Sequence, residues 1–277
     1  MSSLSIGKAW DEASAFLKRE SRLVTPVALA MFMVPATLYG WYNPSGDPNQ
    51  ASAGLGWPIT LILLAMTIMG QMVIAGMAIG WAGSVGAGLR HAFKRVWGVL
   101  GALMLVFIPL TILLLLAIAV LLGGAGITDP ADVTPQSIAM IPGITPLLLV
   151  MVALFLYVGT KLFPIAAVGM VETANPLRLL GRSWKLTGGA FWRLLGTFLL
   201  ILVVNLVASL AVLAVIGSIM TVAAGEAQPY NLTALIVALF DGLVGALIAA
   251  ISAALVGRVY AQLAAPIRSV PEVEREG

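Results

Sequence analysis

Few residues in this chain are equipped for chemistry, and those few interrupt long apolar runs. Asp241, Gln71 and Asn205 each sit inside such a run. A polar group is expensive in hydrocarbon, which marks each of the three as a functional position by default. Asp241 lies about ten residues into its run, Gln71 near the middle of another, and Asn205 about a dozen residues into a third. At about 1.5 Å of rise per residue, all three reach similar, central depths. Gathered at the midplane they would make a small binding site or a proton-sensitive pair. The structural alternative is interhelical hydrogen bonding, which Asn and Gln supply for about 1 kcal/mol, with a protonated Asp241 joining in. Both readings stay open from sequence alone.

Lys161 is the one cation inside an apolar run, three residues before Pro164, which should kink that helix. Its long stem can carry the ammonium toward the headgroups by snorkelling. The sharper readings are a site for an anionic headgroup or a pairing with Glu172, which shares its helix face but is out of reach unless the chain bends near Pro164. A further basic set occupies two polar connections: Arg90, Lys94 and Arg95 in one, Arg178, Arg182 and Lys185 in the other, the latter beside Trp184. Together they could form an anionic-lipid or partner surface, each charge contributing about 1 kcal/mol near an anionic leaflet. The Gly76–Gly80 pair, and Gly242 with Ala246, read as close helix packing.

Several chemistries drop out. There is no cysteine and a single histidine, His91, so disulfides and multi-histidine metal centres are excluded. No H-E-x-x-H, G-x-S-x-G, Walker or paired-carboxylate pattern is present. His91, in a basic connection, reads as a surface residue. The expectation is therefore a non-enzyme with no catalytic residue, no metal, no cofactor and no nucleic-acid partner.

The elements that must position these residues follow from composition. Of 277 residues 60% are hydrophobic and only 10% charged, against about a quarter charged in soluble domains. Mean hydropathy is +1.03. No soluble core could hide this much apolar surface. Six hydrophobic runs, approximately 23–42, 58–82, 98–122, 144–171, 194–222 and 232–257, each reach the roughly 20 residues a bilayer demands. They show no period-two alternation, and a lipid-facing backbone must satisfy its own hydrogen bonds, so they read as helices. The fold class is all-α: a polytopic membrane protein with six transmembrane helices.

Orientation comes from Lys and Arg. Fourteen of the fifteen basic residues lie before the first run, between two and three, between four and five, or after six. The other three connections hold none and carry only Asp47, Asp129, Asp132 and Glu226. The positive-inside rule then places both termini in the cytoplasm of a bacterial inner membrane.

Residues 1–22 read as a cytoplasmic amphipathic helix, with Ile6, Trp10, Ala13 and Leu17 on one face. Three acidic residues in this leader argue against a secretory signal. Residues 23–257 form a single six-helix domain, and 258–277 a cytoplasmic tail. Between the fourth and fifth runs a short interfacial helix is expected, opened by Asn175–Pro176 and closed by Gly188 and Gly189 in left-handed geometry. Leu177, Leu180 and Trp184 form its apolar stripe, with Arg178, Arg182 and Lys185 alongside, as suits the headgroup plane.

The stretch from Glu172 to Leu194 reads E-x-x-x-P-L-x-L-L-x-R-S-W-x-L-T-x-G-x-F-W-R-L. With Lys161, Leu162 and Pro164 before it, it resembles the membrane domain attached to some glycerophosphoryl diester phosphodiesterases and its stand-alone bacterial relatives. In the fused proteins a soluble barrel performs the hydrolysis. This chain lacks that barrel's histidine and carboxylate set, so the resemblance implies a membrane scaffold or partner module.

Two functions compete at this point. One is a non-catalytic module that organises membrane lipid, or a protein partner or second copy, through its basic hairpins. The other is a small transporter or channel for an amphiphilic or anionic solute, using Asp241, Gln71, Asn205 and Lys161. A cavity reaching the depth of Asp241 favours the second, and dense apolar packing there opposes it.

Overall fold

The structure is a computed structural model that describes residues 4–45, 56–81, 83–125, 141, 143–172 and 175–264. Asp47, Asp129, Asp132 and most of the expected tail lie outside the described residues. Every regular element among the described residues is a helix. Helix α1 spans Ile6–Arg19. The six helices long and apolar enough to cross a membrane are α2 (Ser21–Tyr42), α3 (Gly56–Ile79), α4 (Val85–Gly124), α5 (Ile144–Val171), α7 (Phe191–Ala224) and α8 (Leu232–Ala264). Between α5 and α7 lies α6, Pro176–Thr187.

Helix α8 is the axis, with α1, α2, α3 and α7 all packed against it. Ala238, Gly242, Ala246, Ala250 and Ala254 recur every fourth residue and are all buried, so one ridge of α8 is built of small side chains. Without a hydrophobic force between helices in lipid, such a ridge lets backbones approach and gain dispersion contact. A Cβ on Gly242 would lie 2.7 Å from Thr37 Oγ1, and one on Gly257 only 2.5 Å from the Ala75 carbonyl. Gly76 likewise packs on Met170, whose Cγ would stand 2.8 Å from an added Cβ. Gly80 has a different task. Its φ of +92° turns the chain out of α3, and an added Cβ would meet nothing.

Two local breaks lie beside prolines. In α2 a wide turn covers Leu29–Met33, just before Pro35, whose ring displaces the ordinary bond to the fourth residue back. Helix α5 divides at Pro164 into Ile144–Leu162 and Ile165–Val171, as the sequence leads one to expect. The second piece is buried from Ile165 to Met170, wedged against α3 and α4.

Helix α4 starts at Val85, capped by the Ser84 hydroxyl, well before the expected 98. Its 40 residues make about 60 Å, twice a hydrocarbon core of about 30 Å. Its first turns therefore project beyond the core and carry Arg90, Lys94 and Arg95. The most apolar windows of α4 and α7 have hydropathies of 3.1 and 3.0 and are 0% buried, which makes them the lipid-facing walls.

Helix α1 buries a face that overlaps the expected one but is rotated away from Trp10. Ala9, Ala13 and Phe16 are buried against α8, Ile6 and Leu17 border that contact, and Trp10 stays 46% exposed. Small residues win because the interface is helix-on-helix. Helix α8 itself continues past 257 to Ala264, carrying Arg258 beside the Phe16 ring.

Candidate functional site

One end of the bundle collects the cations. Helix α6 is opened as expected by Asn175, whose Oδ1 accepts from the backbone N–H of Leu177 at 3.1 Å and of Arg178 at 3.4 Å. Its buried face is Leu179, Ser183 and Leu186, packed on α4 and both halves of α5. The expected apolar stripe divides: Leu177 is 66% exposed, Leu180 packs on the core, and Trp184, 37% exposed, lies between the two. Gly188 is right-handed, at φ −58°, and Gly189 has no positive φ either, so the left-handed stop is not used.

Several cations are spent on holding this end together. Arg182 Nε donates to both oxygens of Glu172, at 2.7 and 3.0 Å, and the Tyr260 hydroxyl donates to the same carboxylate at 2.6 Å. One carboxylate thus ties α5, α6 and α8. Arg95 Nη1 donates to the Gly169 carbonyl at 3.1 Å and to that of Met170 at 3.4 Å. His91 Nε2 lies 3.1 Å from the same Met170 oxygen. These carbonyls are the unpaired ones that end a helix, and donors here satisfy them. His91 is half-buried beside Trp81, not a surface residue as its basic surroundings suggest. Arg193 donates to the Leu4 carbonyl and so moors the start of α1.

Lys161 is neither snorkelling nor paired with Glu172. Only 7% of it is exposed. Its ammonium stands 5.4 Å from the Phe191 ring centre, 5.7 Å from Tyr157 and 6.0 Å from Trp184. Tyr157 is one helical turn earlier on α5, and Phe191 and Trp184 come from α7 and α6, so three helices close an aromatic box around one charge. Ring faces attract a cation at such distances. No acidic side chain joins the box among the described residues, because Glu172 is engaged elsewhere. Arg90, Lys94, Arg178 and Lys185 are exposed and have no partner among the described residues.

The other polar set divides. Asp241 and Asn205 share a cavity of about 360 Å³ with Ser209, Thr60 and Thr67. Asp241 also lines a larger one, about 640 Å³, between α2, α7 and α8. Gln71 is elsewhere, in a space of about 260 Å³ with Ser252 and Phe198. The three do not share the expected depth: Gln71 faces Ser252 and Ala253 of α8, eleven or more residues along that helix from Asp241, which lies level with Thr60 of α3. None of the three has a hydrogen-bond partner among the described residues, so they do not clip helices together.

A family model described as a domain of unknown function, DUF7847, matches residues 4–263. The chain belongs to this family. No curated protein matches, and no solved structure does. The family match spans both polar regions, α1 included. Its description carries no activity, and nothing in these comparisons links the chain to glycerophosphoryl diester phosphodiesterases. Within the matched span, reading the sequence missed Tyr260, which holds Glu172, and the Tyr157–Phe191 part of the lysine box. Tyr157 was detectable, one turn before a buried lysine. Tyr260 was not, because 88 residues separate it from its partner.

Proposed function

We propose that the protein is a non-catalytic inner-membrane module, with both termini cytoplasmic, that gathers anionic lipid headgroups on its basic rim. One observation carries this reading: the cations of the rim exceed its internal anions. Glu172 is consumed by Arg182 and Tyr260, which leaves Arg90, Lys94, Arg178 and Lys185 exposed without a counter-charge and Lys161 enclosed without one. Trp97, Trp184 and Trp192 stand exposed among them, in the arrangement that amphipathic rings take at headgroup level. The resemblance of Glu172–Leu194 to a phosphodiesterase membrane domain fits a scaffold role.

The test is lipid retention. The parent and an Arg90/Lys94/Arg178/Lys185→Gln variant are purified from membranes in neutral detergent, and bound phosphatidylglycerol and phosphatidylethanolamine are quantified. The parent should be enriched in the anionic lipid and the variant should not. Equal enrichment in both would remove the proposal.

A further inference from the structure

Away from the basic rim, the larger Asp241 cavity has features that packing alone does not explain. Asp241 Oδ1 is buried and accepts no hydrogen bond, and Thr233 Oγ1 is buried and unpartnered as well. Both residues line the same space of about 640 Å³, a volume typical of small-molecule sites. Buried polar atoms in folded proteins are nearly always paired, so two orphans on residues that line one cavity point to a partner that enters it.

The lining defines that partner. Asp241 is the only charged residue among it, Ser209 adds a hydroxyl, and Val212, Leu213, Val222 and Val237 give an apolar wall. An anionic guest would meet a carboxylate with no cation to offset it. A guest with N–H donors and a positive charge would satisfy Oδ1 and the carboxylate together. A chain attached to that head would lie along the valines and Leu213. The way in is lateral, since Leu213 is 59% and Val222 90% exposed on the lipid-facing flank of α7. The wide turn Leu213–Gly217 sits in this wall, and such turns are frequent at functional sites.

We infer that this cavity binds a cationic amphiphile, an alkyl primary amine in chemical class, with its ammonium on Asp241 and its chain against α7. This narrows the solute class weighed from sequence, amphiphilic or anionic, to an amphiphile with a cationic head. It is independent of the basic rim, from which no residue lines the cavity.

The experiment uses the full chain in neutral detergent, with dodecylamine, dodecanol and dodecanoate as probes at equal free concentration and native mass spectrometry as the readout. Dodecylamine should bind one per chain, with dodecanol much weaker and dodecanoate absent. Asp241→Asn should weaken dodecylamine about thirtyfold, the scale for removing one side of a buried charge pair. Val237→Trp should block the cavity while keeping the carboxylate. Equal binding of dodecylamine and dodecanol to the parent, no binding of dodecylamine, or an Asp241→Asn protein that binds as the parent does would each overturn the inference. The parent's ranking of the three probes decides the matter even if a variant misfolds.

Discussion

The two polar regions of this bundle follow opposite rules. At the basic rim, Glu172, Tyr260, Arg182, Arg95 and His91 close on one another or on the last carbonyls of Ile165–Val171. Around Asp241, hydroxyls such as those of Ser218 and Thr60 bond back to their own helices, but Asp241 Oδ1 and the Thr233 hydroxyl pair with nothing described. Matched groups join α4, α5, α6 and α8 and so belong to the fold. Unmatched ones, Asp241 in its cavity and the free cations of the rim, are where something from outside can bind.

Substitutions can sharpen or break that contrast. The largest effect is expected at the packed end of α8. Gly257→Val drives a side chain into the Ala75 carbonyl and should destabilise by about 3 kcal/mol. Gly245→Ala, on the same helix beside the cavity, meets nothing within 4 Å and should gain up to about 1 kcal/mol from helix propensity. Unfolding in mixed micelles by titration with an anionic detergent measures both, and equal losses would erase the distinction.

Next comes the carboxylate pair. Glu172→Ala removes the carboxylate that accepts from Arg182 and from the Tyr260 hydroxyl and should cost about 2 kcal/mol. Asp241→Asn breaks no bond in the protein and should stay within about 0.5 kcal/mol of the parent. A thermal melt showing Asp241→Asn as the more damaging change would mean that Asp241 is structural.

Arg95→Leu is smaller, at about 1 kcal/mol, because His91 still faces the Met170 carbonyl and only that of Gly169 loses its side-chain donor. The smallest stability change is expected for Lys161→Met. Swapping an enclosed charge for an apolar side chain of similar length should be neutral or slightly stabilising. Retained anionic lipid should nonetheless fall. A variant that loses stability but keeps its lipid would make the aromatic box a purely structural device.

Much of this architecture was legible in the sequence because the bilayer imposes strong rules. Run length, hydropathy and the sidedness of Lys and Arg gave the six spans and the gathering of cations. Asn175 and Pro164 acted as their chemistry dictates. Side-chain partners were less legible. Glu172 looked like a partner for Lys161 along one helix, yet the division at Pro164 and the return of α8 bring it Arg182 and Tyr260 instead. Counting residues into each run gave Gln71, Asn205 and Asp241 one depth, but the helices are offset along one another, so Asn205 and Asp241 meet while Gln71 lies level with Ser252 instead. The N-terminal helix was legible in part: Ala13, Ile6 and Leu17 do face the bundle, and Trp10 does not. An axis made of alanine and glycine accepts small Ala9 and Ala13 closely and leaves the bulky Trp10 outside.

The most direct measurement is an electron cryo-microscopy structure of the chain in a bilayer of mixed phosphatidylglycerol and phosphatidylethanolamine. Phosphate density should lie within hydrogen-bond distance of Arg90, Lys94, Arg178 or Lys185, with a headgroup reaching toward the Lys161 box. A rim whose cations contact only water, with lipid phosphates spread evenly around the bundle, would contradict the account.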